Sequence, residues 1–445
     1  MLNVFRGRRD LVVALTGRMV STFGDEVALV ALTLRLQGDG AQPWEVGLLL
    51  GAGVIPVLLL ARPVGRLVDA HDSRLLLVSA GIAETACTVP LIFLHSVVPM
   101  VLLVAALGAA ASVSGATWSA LVPRLAGEDH IAGAVSAQQS LSALAMVGAP
   151  AIGGVLAGAF GSGLPLAIDA ATFVAVTVAA AAVRTRRVPA ARPGPQEPAR
   201  VRGGFEIVRA DRVLAPLVVG AALVVLLVGM VDVVLVFLVR QTFQAGAVWF
   251  GVAGAAWMAG MVAGSVATGR IGTDRARARA VILGMGVTCA ALALFAVVPD
   301  VWMLLPLSVL GGAANGYAAT CLSALLVSRT PEHERGRVSA AANAVFGGAQ
   351  GISLLAGGAI AAVLSPRDVY AVAGLLGVVA AIVVGIIDAS RTSGRLRIES
   401  QPAAAQASPG ATSTTAIRSP TLSPLPRQRS PSTSRSRRRA RAAAR

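Results

Sequence analysis

The sequence has little charge, few aromatic side chains and no lysine. Charged residues make up 13% of the 445 positions and aromatic residues 4%, whereas apolar residues make up 55%. Mean hydropathy is +0.74, and a soluble domain of this size could not cover so much apolar surface. The net charge of +16 comes from arginines in predicted loops and in the tail, without interleaved aromatic residues, so nucleic-acid binding is not expected. The chain is predicted to lie in a lipid bilayer.

Cysteine and histidine are also scarce. The three cysteines, Cys87, Cys289 and Cys321, fall inside apolar runs, and the four histidines are far apart. Neither a disulfide framework nor a metal site follows, and no cofactor is expected. An intramembrane hydrolase would need a nucleophile with a base or a pair of metal ligands, and the chain has no His-Glu-x-x-His or Gly-x-Ser-x-Gly string. A membrane enzyme is therefore the disfavoured alternative, and no catalytic residue is assigned.

Three short strings recur at one constant offset. The offset is 204 in each case (269−65, 323−119 and 357−153), without a gap. The chain therefore consists of two copies of one unit, which in an apolar protein indicates a two-halved transporter. The recurring pairs are Gly65-Arg66 with Gly269-Arg270, Ser119-Ala120-Leu121 with Ser323-Ala324-Leu325, and Gly153-Gly154 with Gly357-Gly358.

Apolar runs of about 20 residues, long enough to cross about 30 Å of hydrocarbon, occur in two sets of six. The predicted fold is an all-α integral membrane protein with twelve transmembrane helices in two pseudo-symmetric six-helix bundles. The first bundle is predicted to span residues 11–184 and the second 213–388, with an N-terminal segment at 1–10, a linker at 185–212 and a tail at 389–445. The runs are 11–36, 44–64, 75–95, 98–122, 131–160, 165–184, 213–239, 246–270, 279–298, 301–328, 337–364 and 369–388.

Arginine accumulates in alternate loops, which predicts that both termini and the linker are cytoplasmic. The linker is rich in Pro, Gly and Arg and is expected to be extended and solvated. The Ser-, Pro- and Arg-rich tail is expected to be disordered. It either holds anionic lipids of the inner leaflet or is a dispensable extension. The protein is expected to be a monomer in a bacterial plasma membrane.

The first apolar run carries a polar stripe. Arg18, Ser21, Thr22 and Asp25 are spaced at i, i+3, i+4 and i+7, so they share one face of a helix. Arg18 and Asp25 are about 10 Å apart along the axis, too far for a direct pair. Glu26 points about 100° away from Asp25. Because intramembrane charges are costly, this stripe is expected to face a wet cavity and to exchange protons; the alternative is a static pair between Asp25 and another helix.

Three further acidic residues lie inside apolar runs. Asp232 is 207 positions after Asp25 and on nearly the same face of the equivalent helix, so it is the candidate partner across the cavity. Glu84 and Asp169 have no polar stripe around them, so structural pairing is the expectation for both.

The stretch GRLVDAHDSR at 65–74 resembles a loop signature of the major facilitator superfamily. Gly65, Arg66, Asp69 and Arg74 carry the resemblance, and Gly269 with Arg270 repeats its start in the second half; Ala70, Asp72 and Ser73 depart from it. The resemblance implies a gating loop, in which Gly65 permits close backbone approach and Asp69 holds a helix terminus or an arginine in one conformation.

The run VGAPAIGGVLAG at 147–158 is similar to a Gly-Pro-x-x-Gly-Gly motif of exporters in this superfamily. Gly148, Pro150, Gly153 and Gly154 belong to it. Small residues let a neighbouring helix approach closely, which suits a seal that forms and breaks. The fourth run, 98–122, has no arginine, whereas many proton antiporters of the superfamily have one there; either Arg18 takes that place or coupling is organised differently.

Three other strings resemble the bacterial efflux branch that includes the enterobactin exporter and macrolide efflux proteins. They are STFGDEVAL at 21–29, PLAIDAATF at 165–173 and TPEHERGRVSAAANAVFGGAQ at 330–350. The resemblance covers residues 11–388 and implies alternating access with proton-coupled efflux of a small amphipathic compound, such as a drug, antibiotic or secondary metabolite. A siderophore or lipid carrier is the alternative.

Overall fold

Helices make up nearly all of the part of the chain that the computed structural model describes, which is residues 9–127, 130–183 and 201–399. The all-α prediction is confirmed, and each of the twelve predicted runs overlaps one long helix. Two shorter helices, α3 and α8, occur in addition. The helices are α1 (Arg9–Gly38), α2 (Pro43–Leu59), α3 (Ala61–Ala70), α4 (Ser73–Leu91), α5 (Val97–Ala126), α6 (Ile131–Phe160), α7 (Gly163–Ala182), α8 (Val201–Ala210), α9 (Leu214–Phe237), α10 (Ala247–Ala267), α11 (Asp274–Phe295), α12 (Leu304–Ser328), α13 (Arg335–Ala361) and α14 (Pro366–Glu399).

Among the described residues, ten helices are long and apolar enough to cross a membrane, or eleven if α2 and α3 form one span. Helix α1 has the length, at 30 residues, but its charged stripe lowers its hydropathy. The chain bends by 55° between α2 and α3, where Pro63 has no N–H to donate to the preceding turn. The predicted run 44–64 is therefore divided between two helices.

Composition predicts an extended linker. This prediction is wrong for residues 201–210, because they form the helix α8. Gly204 and Val208 are four residues apart, so they lie on one face of this helix, and both are buried, Val208 in one cluster with Leu214 and Val338. Burial of this apolar face outweighs the preference of the surrounding Pro- and Gly-rich sequence. Residues 184–200 and 400–445 lie outside the described residues, and the predicted lipid contact of the tail lies there too. Helix α14 continues to Glu399, past residue 389 where the tail was predicted to begin.

Contacts between helices follow the repeat. In the first half α1 packs against α6 and α7, and α4 against α5 and α7; in the second half α9 packs against α13, and α12 against α10 and α11. The two halves meet where α2 packs on α13 and α6 on α10. We call the end of the molecule at which α1 begins the near end, and the end at which α1 finishes the far end.

Side chains from both halves form a shared core at the far end. Leu36, Val46 and Leu49 of the first half are buried in one cluster with Phe237 and Leu354 of the second. Burying one such side chain away from water is worth about 1.5–3 kcal/mol, so a far end open to water would be less stable. The two halves are thus closed against each other at the far end.

The buried Arg35 braces the far end of the first half. Its guanidinium donates to the carbonyl oxygens of Leu91, Ile92 and Leu94 at 2.6, 3.2 and 3.0 Å, and to the hydroxyl of Ser162 at 2.5 Å. These carbonyls are left without partners where α4 ends. One arginine therefore satisfies the end of α4 and ties it to the start of α7.

At the near end, Arg329 connects three helices of the second half. It donates to both carboxylate oxygens of Asp211, at 2.9 and 3.3 Å, and lies 3.8 Å from Asp274. Asp211 also caps α9 by accepting from the N–H groups of Val213 and Leu214 at 2.8 and 3.0 Å. Burial alone would raise the pKa of Asp211, but the Arg329 and backbone hydrogen bonds outweigh it and hold that pKa below its ordinary value.

Replacing Asp211 with alanine should lower the free energy of unfolding by about 1–2 kcal/mol at pH 7, the sum of a helix cap and a partly exposed ion pair. A carboxylate with a depressed folded-state pKa stabilises the fold above its unfolded pKa, and this contribution is lost as pH falls. The difference from wild type should therefore shrink below about pH 4. Thermal unfolding in detergent at several pH values measures it. Asp211→Asn, which keeps the cap, should recover part of the loss; a pH-independent difference would contradict this assignment.

Candidate transport site

The polar stripe lies in the middle of α1 (Arg9–Gly38). Asp25 is exposed although its neighbours Gly24 and Val27 are buried, and Arg18 and Thr22 are half-buried. Within the part of the chain that the structure describes, Asp25 has no hydrogen bond or ion pair. An ionisable side chain in that position faces water inside the protein and not lipid, since exposure to hydrocarbon would be far more costly. The wet cavity that the stripe is expected to face stays a prediction.

Arg18 reaches the fourth spanning helix, α5. A Cβ atom added at Gly115 would lie 3.6 and 3.8 Å from the two terminal nitrogens of Arg18. Gly115 therefore leaves room for the guanidinium beside α5, and the substitution of Arg18 for a fourth-helix arginine stays a prediction. Arg18 acts electrostatically on both Asp25 and Glu84, so its charge is shared between carboxylates and not committed to one pair.

Glu84 and Asp169 belong to the same cluster as Asp25, and the prediction of ordinary structural pairs is wrong for Asp169. Both act electrostatically on the Asp25 carboxylate, as does Glu26. Glu84 accepts a hydrogen bond from Ser114 at 2.7 Å, whereas both carboxylate oxygens of Asp169 are buried without a hydrogen-bond partner among the described residues. Sequence spacing could not reveal this cluster, because its members come from α1, α4 and α7.

Asp232 is exposed on α9 between the buried Val231 and Val233. The charged groups that act on Asp25 all belong to the first half, while Asp232 acts on the buried Tyr370 of α14. Asp232 is therefore not one of the charged groups that act on Asp25, and its role as the partner across a cavity stays a prediction.

The register of the repeat explains the position of Asp232. Gly153 packs on Val27 of α1, and its repeat mate Gly357 packs on Met230 of α9. These partners differ by 203 and not 204 (230−27), so the structural equivalent of Asp25 is residue 228. Asp232 is four residues further, one helical turn along the same face.

A largely apolar cavity of about 170 Å³ lies inside the second half. Its wall carries a few polar groups, including the Asn315 side chain, which has no hydrogen bond among the described residues. Ala221 and Val225 of α9 line it and share the face of Asp232, which is about 10 Å further along the axis from Val225. The other lining residues are Val224, Val281, Met285, Thr288, Ala318, Ala319, Leu322, Ser323 and Phe346.

Two glycine contacts seal the far end. A Cβ atom at Gly154 would lie 3.1 Å from the Cα of Gly251, and one at Gly358 would lie 3.3 Å from the Cα of Gly47. Gly47 and Gly251 are themselves mates (251−47 = 204), as are Gly154 and Gly358. The two contacts are thus copies of one contact, and we call them the glycine clamps. The backbone oxygen of Pro150 also faces Gly251, whereas Gly148 has no atom within 4 Å of an added Cβ.

The loop signature takes a different form from the expected one. Gly65 and Gly269 have no atom within 4 Å of an added Cβ, so neither permits a close approach in this conformation. Residues Gly65, Arg66 and Asp69 are exposed on α3, and Gly269 lies in a short 3-10 helix, Thr268–Arg270. The side chain of Arg270 lies outside the described part of the chain.

Two neighbouring residues of the signature make contacts that sequence analysis missed. Asp72 caps α4 by accepting from the N–H groups of Arg74 and Leu75, at 2.8 and 3.3 Å, and Arg74 donates to the carbonyl of Ala181 at the end of α7. An aspartate directly before an apolar helical run was the available signal.

Comparison with known proteins is consistent with this geometry. Residues 11–406 match the family described as "Transmembrane secretion effector". A relative, the "Uncharacterized MFS-type transporter YfiS" of Bacillus subtilis (strain 168), is 25% identical over 171 residues. That match covers 38% of this chain and 41% of the relative.

Solved structures share the fold at low sequence identity. A mutant form of the nucleoside transporter NupG superposes with a TM-score of 0.68 and 12% identity, covering 85% of this chain and all of that one. A bacterial homologue of the iron transporter ferroportin, in an inward-facing state, gives a TM-score of 0.65 and 15% identity over 85% of this chain and 97% of that chain. A bacterial homologue of the lysosomal transporter Spinster gives 0.61 and 14% over 86% and 96%. With the family match and this fold together, the chain belongs to the transmembrane secretion effector family of major facilitator superfamily transporters.

Proposed function

We propose that this protein is a proton-coupled exporter of a small amphipathic compound in a bacterial plasma membrane, with both termini in the cytoplasm. The observation that carries the proposal is the water-accessible Asp25, which lies beside Arg18 and two buried carboxyl groups on a helix that packs against a clamp helix. Such a carboxyl group would lose its proton toward the alkaline cytosol as substrate binds and regain it outside.

The packing of α1 connects Asp25 with the glycine clamps at the far end. Asp25 is two residues from Val27, on which Gly153 packs, and the adjacent Gly154 forms one of the clamps. A change of charge at Asp25 alters the electrostatic balance within the first half. Movement of α1 relative to α6 would then open or close the far end, as alternating access requires.

Export is favoured over import by the motif on α6. Its Pro150, Gly153 and Gly154 all lie at helix contacts of the far end, as expected of an exporter seal. The apolar cavity of the second half suits an amphipathic solute, with Asn315 as a hydrogen-bonding group.

The test is a susceptibility and metabolite screen. A deletion strain should become more sensitive to the exported compound or accumulate it, and the complemented strain should not. Purified protein in proteoliposomes should then move that compound against its gradient when a pH gradient is imposed. A transport rate that does not change when the pH gradient is imposed would contradict proton coupling.

A siderophore or lipid carrier is the second candidate. The structural neighbours include proteins whose names refer to nucleoside, iron and lysosomal transport, so the shared fold does not select a substrate. Retention of a siderophore or a lipid in the deletion strain, without a change in drug sensitivity, would favour this alternative.

Filling the second-half cavity should weaken substrate binding. Ala319→Phe places a ring in a cavity of about 170 Å³ and should raise KM at least about tenfold, a loss of about 1.4 kcal/mol. Initial rates in proteoliposomes, with the compound found in the screen, measure the change. Leu310→Phe is the matched control, because Leu310 is exposed on the opposite face of α12. Equal KM values in the two variants would show that substrate does not enter this cavity.

A further inference from the structure

Asp169 is held in an unusual way for a membrane carboxyl group. It is 1% exposed, and neither carboxylate oxygen has a hydrogen-bond partner among the described residues. Thr172 lies beside it, but its hydroxyl donates to the backbone carbonyl of Asp169 at 2.7 Å. A Cβ atom at Gly24 would lie 2.6 Å from both Asp169 Oδ1 and Thr172 Oγ1. The carboxyl group therefore lies directly against the backbone of α1, one residue before Asp25.

The groups around Asp169 come from four helices. Glu84 of α4, which is 5% exposed, acts electrostatically on Asp169, and Asp169 acts in turn on Asp25 of α1. The remaining charged and polar groups of this cluster are Arg18 and Glu26 of α1, Ser114 of α5 and Thr172 of α7. Asp25 is exposed, whereas Asp169 and Glu84 are buried.

Ionisation of every carboxyl group in this cluster would be very costly. Asp25, Glu26, Glu84 and Asp169 would together bring four negative charges against one positive charge on Arg18. An ionised carboxylate buried without a hydrogen bond is strongly disfavoured, while its protonated form carries no charge. Glu84 has Ser114 as a donor and Asp25 is exposed, whereas Asp169 is 1% exposed and neither of its carboxylate oxygens has a hydrogen-bond partner among the described residues. The neighbouring Thr172 offsets only part of the cost of burying an anion there, and a proton on Asp169 removes that cost.

We propose that Asp169 carries a proton in this conformation and exchanges it with the cavity through Asp25, with Glu84 as the buried neighbour that receives part of the charge. In the transfer, the O–H bond of Asp169 breaks, an O–H bond forms on the Asp25 carboxylate, and the negative charge moves to Asp169. The proposal extends the proposed function, because it names the place where the coupling proton is stored. Gly24, which precedes Asp25 on α1, has no side chain and so leaves room for the Asp169 carboxyl group against the α1 backbone.

Infrared spectroscopy of the purified full-length protein in lipid nanodiscs tests the location of the proton. At neutral pH, wild type should show the C=O absorption of a protonated carboxyl group, and Asp169→Asn should lose it. The matched control Glu45→Gln should keep it, because Glu45 is a far-end residue whose carboxylate accepts from the N–H of Gln42 at 2.6 Å. If Glu84→Gln loses the absorption and Asp169→Asn retains it, the assignment is overturned.

Hydrogen–deuterium exchange of the same absorption tests the route. In D₂O the protonated carboxyl signal of wild type should shift as it exchanges, and Asp25→Asn should slow that exchange at least tenfold. An unchanged rate in Asp25→Asn would overturn the route. Should Asp169→Asn fail to fold, the Glu84→Gln and Asp25→Asn spectra still decide the proposal. These spectra need no transported compound. A failed assignment of the proton site would therefore leave the proposed export untouched, and a failure to observe export would leave the proton site untouched.

Discussion

Replacing Asp25 with asparagine is expected to reduce export driven by a pH gradient to the level of empty liposomes. Asparagine has nearly the same shape but binds no proton, so substrate movement would no longer be tied to proton movement. Substrate exchange without a pH gradient should continue, because the cavity remains. The measurement compares both modes of transport in proteoliposomes, with the compound identified by the screen.

The neighbouring carboxyl group supplies the control. Glu26 points about 100° away from Asp25 along the helix, so Glu26→Gln should keep most of the gradient-driven transport. If Asp25→Asn transports normally, or if the two variants lose transport equally, Asp25 is not the coupling group.

Leucine at Gly154 or at Gly358 is expected to open the far end. The added side chain would overlap the backbone of α10 in the first case and of α2 in the second, where a Cβ atom would already lie 3.1 Å from Gly251 Cα or 2.8 Å from Trp44 Cα. Overpacking of this kind costs about 1–3 kcal/mol, and the closed state alone bears that cost. The closed-to-open ratio should fall by about 5- to 150-fold, and transport should fall with it.

Spin labels at Ser96, in a far-end loop of the first half, and at Gln241, in the far-end π-helix Leu238–Thr242 of the second, would report this change as a longer distance; both residues are exposed. The three native cysteines are first replaced with alanine. Gly148→Leu is the control on the same helix, because no atom lies within 4 Å of an added Cβ there. The two clamp variants should behave alike because they are copies of one contact. An unchanged distance in a folded clamp variant would show that the clamps do not hold the closed state.

The predicted division into two six-helix bundles stays a prediction, since residues 1–393 form one compact unit. In the closed far end the two halves share a core, so packing contacts run continuously between them. Transport that moves the halves against each other would separate them at this surface first.

Particular residues show which contacts could be predicted from the sequence and which could not. The offset of 204 identified Gly154 and Gly358, but not Gly47 and Gly251, because single glycines are common among the 48 in this chain. The stripe on α1 was visible because its members share one helix. Asp169 was interpreted as a structural pair because no helix period connects it to Asp25.

Composition and spacing along single chain segments were enough to predict the bilayer as solvent, the helical spans, the twofold repeat and the polar face of α1. The contacts of Arg18 with Gly115, of Asp169 with Gly24 and between the paired glycines at the far end became known from the folded chain. Close packing between helices depends on the shape of both surfaces, and residues from distant helices share no period in the sequence.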